Sequence, residues 1–150
     1  MRAALLSGSE RVVDTIVYVA DYEHIAANAT SANQVKIGTI PAGGAVVNAF
    51  AYEVVPFVGA PNITLDVGIT VANPNNFIDA WDADSGTPAY NSGTGFTAGT
   101  ASPIPGLSQP LFVSGTVDTP IIAEWNGSVS NLTAGKAVIC VEVFNPGKFA

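Results

Sequence analysis

Residues Asn62 to Val71 read NITLDVGITV. The odd positions Ile63, Leu65, Val67, Ile69 and Val71 are apolar, while Asn62, Thr64, Asp66, Gly68 and Thr70 are polar or small. A period of two over ten residues is the pattern of a β-strand with one buried and one wet face. Weaker runs of the same kind occur at 11–19 (RVVDTIVYV), 34–40 (QVKIGTI), 45–58 (AVVNAFAYEVVPFV), 110–115 (PLFVSG), 119–127 (TPIIAEWNG) and 136–144 (KAVICVEVF). β-Branched and aromatic residues dominate all of them. A further short strand is expected near Thr87 to Asn91.

Turn signals separate these runs: Pro41-Ala-Gly-Gly, Gly59-Ala-Pro, Asn73-Pro-Asn-Asn, Asn126-Gly and Ala134-Gly. Seven or eight short strands so punctuated, with almost no helical periodicity, predict an all-β fold, an antiparallel sandwich. Two short helical turns are expected. One is Tyr22 to Ala29 with Asp21 as its N-cap; the other is Asn76 to Ala83, carrying Phe77, Ile78 and Trp81 inward. Ile63, Leu65, Val67, Ile69, Ile139, Val141 and Val143 are expected to share one core. The 14-residue run Ala45 to Val58 is apolar on both faces. Strict alternation puts Val46, Phe50, Tyr52 and Val54 on one side and Val47, Ala49, Val55 and Phe57 on the other. Such a strand is covered on both sides, by another layer or another subunit.

A chain of 150 residues forms one domain and can bury about 70% of the surface its unfolded form exposes. The division read from the sequence is an N-terminal arm with the first strand (1–34) and a sandwich (35–150). Charged residues make up only 11%, and the formal net charge is −7. Five Lys and Arg, scattered, argue against binding nucleic acid, which requires cations to neutralise phosphates. No stretch approaches the ~20 apolar residues of a helical membrane span, so no membrane partner is expected. The apolar stretch Ala3 to Leu6 is too short for the hydrophobic part of an export signal.

Candidate chemistry is sparse. The single cysteine, Cys140, sits in AVICVEVF and reads as a small buried hydrophobe. The single histidine, His24, reads as a packing residue beside Glu23. Asp79, Asp82 and Asp84 crowd around Trp81 and offer a weak calcium alternative, but the spacing fails the EF-hand pattern: the residue that should be the closing Glu is Gly93. Asn28, Asn62, Asn126 and Asn131 match the loose glycosylation pattern. Trp81, Trp125 and Tyr90 could serve as sugar-stacking platforms, although Trp125 alternates with Ile121 and Ala123 as a core residue does. No catalytic residues and no cofactor are expected. The aromatic residues Phe50, Tyr52, Phe57, Tyr90, Phe96 and Phe149 are the candidates for an interface.

Three stretches, VKIGTIPAGGAVV (35–47), ITLDVGITVANPNNFIDAWDAD (63–84) and LTAGKAVICVEV (132–143), occur in an order that resembles the small β-sandwich structural proteins of tailed bacteriophages. That group includes head decoration or cement proteins and related fibre modules. The likeness covers about residues 35 to 145. It implies a jelly-roll-like sandwich, a homotrimer seated on a shell of major capsid protein at the virion surface and assembled in the host cytoplasm. Two rivals remain at this stage: a receptor- or carbohydrate-binding module of a phage fibre, and a sandwich hydrolase or calcium-stabilised adhesin.

Overall fold

The fold is described from a computed structural model, over residues 13–27, 33–69, 74–90, 92–93 and 112–149. The strands are β1 (Val13–Asp21), β2 (Gln34–Ile40), β3 (Ala45–Val58), β4 (Thr64–Gly68), β5 (Ile78–Asp82), β6 (Ala89–Tyr90), β7 (Phe112–Val113), β8 (Thr119–Asn126) and β9 (Ala134–Phe144). One helix, α1 (Tyr22–Ala27), follows β1, and single 3-10 turns cover Val129–Asn131 and Pro146–Phe149.

All strand pairs are antiparallel. The first sheet runs β1-β9-β3-β6, with β7 also on β3, and the second runs β2-β8-β4-β5. The pairing is nested. β1 lies on β9, β2 on β8, β3 on β6 and β7, and β4 on β5. A long hairpin ribbon paired in that way and rolled on itself gives a jelly roll, in which β6 and β7 share the place of one strand. The all-β sandwich expected from the alternating runs is therefore the fold.

Between the sheets lies an apolar cluster. Ile63, Leu65, Val67, Ile139 and Val141 are fully buried, Val143 is 1% exposed, and Ile69 packs partly buried against them. Among the described residues, Trp125 and Phe77 are the largest fully buried side chains. Each such residue contributes about 1.5–3 kcal/mol of apolar transfer free energy. Gly135 serves this core by its lack of a side chain. Its φ is +138°, and a Cβ there would lie 2.1 Å from the Phe57 ring, which packs 5.5 Å from Trp125.

Two expectations need correction. Residues 76–83 do not form a helical turn: β5 occupies Ile78–Asp82. Leu65 pairs with Trp81 and Val67 with Ile78, so Asp66 alone opposes Asp79 and Ala80. This bulge puts Ile78 and Trp81 inward three residues apart, the spacing that a helix would give. Ala80 takes φ +45° there, and its N–H donates to Asp66 Oδ1 at 2.6 Å. On β3, register shifts between Val46 and Asn48 and between Glu53 and Val55 break strict alternation. Val46 therefore lies inward with Ala49 and Ala51, and Val55 lies outward beside Lys136.

The first helix is capped as expected, with the His24 N–H donating to Asp21 Oδ1 at 2.9 Å. It is described to Ala27; Asn28 and Ala29 lie outside the described residues.

Candidate interaction face

The two sheets present unlike outer faces. On the second sheet, Gln34, Glu124 and Asp66 form a row across three strands. Gln34 Nε2 donates to Glu124, and Asn126 Nδ2 donates to Asp66 Oδ2 at 2.9 Å. Burial raises the Asp66 carboxyl above its ordinary range, and the charges of Asp79 and Glu124 push the same way; the Ala80 N–H and Asn126 oppose. That row is polar and internally bonded.

The first sheet is different. Outward-facing residues of β1, β9, β3 and β6 line up in the row Val17–Cys140–Phe50–Tyr90. The next outward row is Val19–Val138–Tyr52. Val17 is 57% exposed, Val19 51%, Tyr52 38% and Tyr90 65%. The Phe50 ring stacks on Tyr52 at 6.3 Å and lies 6.0 Å from Tyr90, so the aromatic side of the patch is already ordered. Cys140 is buried among these neighbours; burial pushes its thiol up, and Glu142 adds to the shift, which disfavours a reactive thiolate. The polar row Thr15–Glu142–Asn48 borders the patch at one end; at the other, Asp21 and Lys136 are polar and the exposed Val55 completes the row on β3.

With strands about 4.8 Å apart and about 3.4 Å per residue, the two apolar rows project to ~300 Å². That is about the size of the largest apolar patch on an ordinary monomer, a patch that is often functional. What the arrangement can do is bind another apolar protein surface.

Of the sequence-predicted interface residues, Phe50, Tyr52 and Tyr90 come together here. Phe57 does not: it is 7% exposed and packs inward on Trp125. Phe96 lies outside the described residues, and Phe149 ends the 3-10 turn after β9. Sequence reasoning missed Val17, Val19, Val138 and Cys140. Their signal was the unbroken apolar runs IVYV (16–19) and AVICV (137–141), which exceed what a half-buried strand needs.

The aspartates of the β5 region are engaged separately. Asp79 accepts from Asn75 Nδ2 at 3.3 Å. Asp82 Oδ1 accepts from the Asp84 N–H at 3.0 Å and its carbonyl from Ser85 Oγ at 2.8 Å, which ends the strand in a turn; Asp84 Oδ2 lies 3.5 Å from the Ile63 N–H. Among the described residues, no group of three His, Cys, Asp or Glu is placed to hold a metal ion. Trp81 and Trp125 are 6% and 1% exposed, so neither indole offers a face for stacking a sugar. His24 packs edge-on against Tyr18, ring centroids 5.9 Å apart.

A groove of about 420 Å³ runs between the β1 and β2 edges, lined by Asp14, Ile16, Gly38 and Asp118 among others. Its carboxylates have partners. Hydrogen bonds from Lys148 and Asn145 hold Asp14 below its ordinary range, and Asp118 accepts from the Ala42 N–H at 3.0 Å.

No family model and no curated protein matches the chain. Among solved structures it is similar to a chain of the cyanophage Pam1 capsid asymmetric unit, with a TM-score of 0.63 and 17% identity over 97% of this chain and 94% of that one. It is also similar to a chain in the acid-stable capsid structure of the Helicobacter pylori bacteriophage KHP30, with a TM-score of 0.44 and 14% identity over 89% and 94% of the two chains. At 17% identity the first likeness is one of fold.

Proposed function

We propose that this chain is a structural protein of a phage virion, a capsid decoration or cement protein that binds the major capsid protein shell and stabilises the head. It acts by binding rather than by catalysis, and the homotrimer implied by the sequence resemblance belongs to the same reading. The observation that carries the proposal is the apolar outer face built on Val17, Cys140, Phe50 and Tyr90, each from a different strand that the jelly roll brings together from distant parts of the sequence. A face of this kind, on a chain with 11% charged residues, suits a subunit whose surface is occupied in its working state. The fold likeness to a chain of a phage capsid asymmetric unit supports the location.

The test is reconstitution. The purified chain is mixed with shells assembled from the major capsid protein of the same phage genome, and the mixture is sedimented through a gradient. The chain should travel with the shells and raise the temperature at which they break open. A chain that stays at the top of the gradient with intact shells present would remove the decoration role.

A further inference from the structure

We propose that the apolar outer face of the first sheet is covered by a second copy of this chain, packed face to face about a two-fold axis that crosses the strands above Ile139. The proposal rests on the reading of the chain as an assembling structural subunit, and it names what that face meets.

The argument is one of self-complementarity. Tyr18, Ile139 and Ala51 lie at one level of the sheet, and Ile139 and Ala51 are fully buried on its inner side. Outward residues flank that level symmetrically: Val17 and Val19 on β1, Cys140 and Val138 on β9, Phe50 and Tyr52 on β3. A two-fold axis lying in the interface, perpendicular to the strands at this level, sets each strand over its counterpart with its direction reversed. Val17 then lies over Val19 of the second copy, Cys140 over Val138, and Phe50 over Tyr52. Aliphatic residues meet aliphatic residues, and aromatic rings meet aromatic rings.

The charges at the borders select this axis. Lys136 and Glu142 lie three residues to either side of Ile139, on the outward face of β9. The rotation brings Lys136 of each copy over Glu142 of the other, twice in the pair. An axis parallel to the strands would instead set Lys136 over Lys136 and Glu142 over Glu142, which like-charge repulsion disfavours. Isologous contacts are self-complementary by symmetry, and facing sheets about 10 Å apart leave room for both sets of side chains. The contact joins copies in pairs; where a three-fold contact operates as well, the assembly has six copies.

Sedimentation velocity on the full chain tests this. The wild type should sediment at twice the chain mass of 15.3 kDa, or at six times it. Lys136→Glu should weaken the pair by about tenfold or more, because two symmetry-related contacts turn repulsive at once, and Glu142→Lys should do the same. The double variant, with both charges reversed, should return to within about threefold of the wild type. Far-UV circular dichroism melts establish that each variant is folded. A monomeric wild type, a trimer indifferent to the single substitutions, or a double variant no better than the singles would each overturn the contact. The shell experiment is independent. A chain that pairs in solution and ignores shells supports the contact and removes the virion role; a monomeric chain that binds shells does the reverse.

Discussion

Phe57 and Phe50 lie seven residues apart on β3 and face opposite ways, so truncating each gives opposite results. Phe57 is 7% exposed, packs 5.5 Å from Trp125, and fills the space that Gly135 leaves open. Phe57→Ala empties a ring-sized volume between the paired strands β3 and β9 of the first sheet and Trp125 of the second. The neighbours cannot collapse into it without moving strands. The cost is therefore near the usual range for buried Phe→Ala, about 3–5 kcal/mol. For a domain of this size that lowers Tm by about 6–20 °C, at about 2–4 °C per kcal/mol. Phe50 lies on the outer face, partly covered by Tyr52 and Tyr90. Phe50→Ala should cost the single chain about 1 kcal/mol or less and should weaken pairing instead. Urea titrations at concentrations low enough to keep the chain single, followed by tryptophan fluorescence, separate the two. Trp125 beside Phe57 reports directly on the loss. The midpoint should fall sharply for Phe57→Ala with the slope unchanged. Should Phe57→Ala cost under about 1 kcal/mol, or less than Phe50→Ala, the assignment of inner and outer faces on β3 is wrong.

Other outcomes follow from the same geometry. Ala80→Gly should leave the fold intact and raise the urea midpoint by up to about 1 kcal/mol equivalent, since Ala80 carries a left-handed φ of +45° that glycine adopts freely; a loss of stability would show that the bulge is not strained. EDTA should leave the melting temperature unchanged, because Asp79, Asp82 and Asp84 bond to separate neighbours; a fall of about 10 °C would restore the calcium reading, as a ligand of the folded state stabilises it by mass action. Burial pushes the Tyr18 hydroxyl up to about 12, against a smaller opposite pull from Trp125. A group whose folded value is raised contributes stability below its unfolded value and loses it as pH rises through the folded one. The wild type should therefore lose stability between about pH 10 and pH 12, and Tyr18→Phe should flatten that loss; equal pH profiles for the two would place the titration elsewhere.

How far the sequence reached depends on whether each feature is local. NITLDVGITV announced its buried face, and Ile63, Leu65 and Val67 are fully buried as that alternation demands. The ends of the strand were less legible. β4 stops at Gly68 because the chain returns against it, and a Cβ there would lie 2.6 Å from the Pro74 carbonyl carbon. Bulges defeated periodicity twice: Asp79 and Ala80 opposite Asp66 imitated a helical turn, and the shifts on β3 exchanged Val46 and Val55 between faces. Strict alternation has no term for an extra residue. The apolar face was the least legible feature. Phe50, Tyr52 and Tyr90 drew attention as aromatics, but Val17 joins them only through β9, and no local pattern reports a pairing between Val17 and Cys140.

The nested pairing also sets a schedule for synthesis. Among the described residues, Val13–Asp21 has one neighbour in its sheet, Ala134–Phe144, and that same strand is the partner along most of Ala45–Val58. On the order of a hundred residues separate the first strand from its mate, roughly 5–20 s of elongation at 5–20 residues per second. Throughout that interval the ribosome holds strands that cannot close a sheet, with Val17, Val19 and Phe50 open to solvent on both sides. Non-local pairing of this kind folds slowly and exposes sticky edges meanwhile. A nascent chain of this design keeps its sticky edges open until its last long strand emerges, and a pause in elongation just before Ala134 would lengthen that exposure.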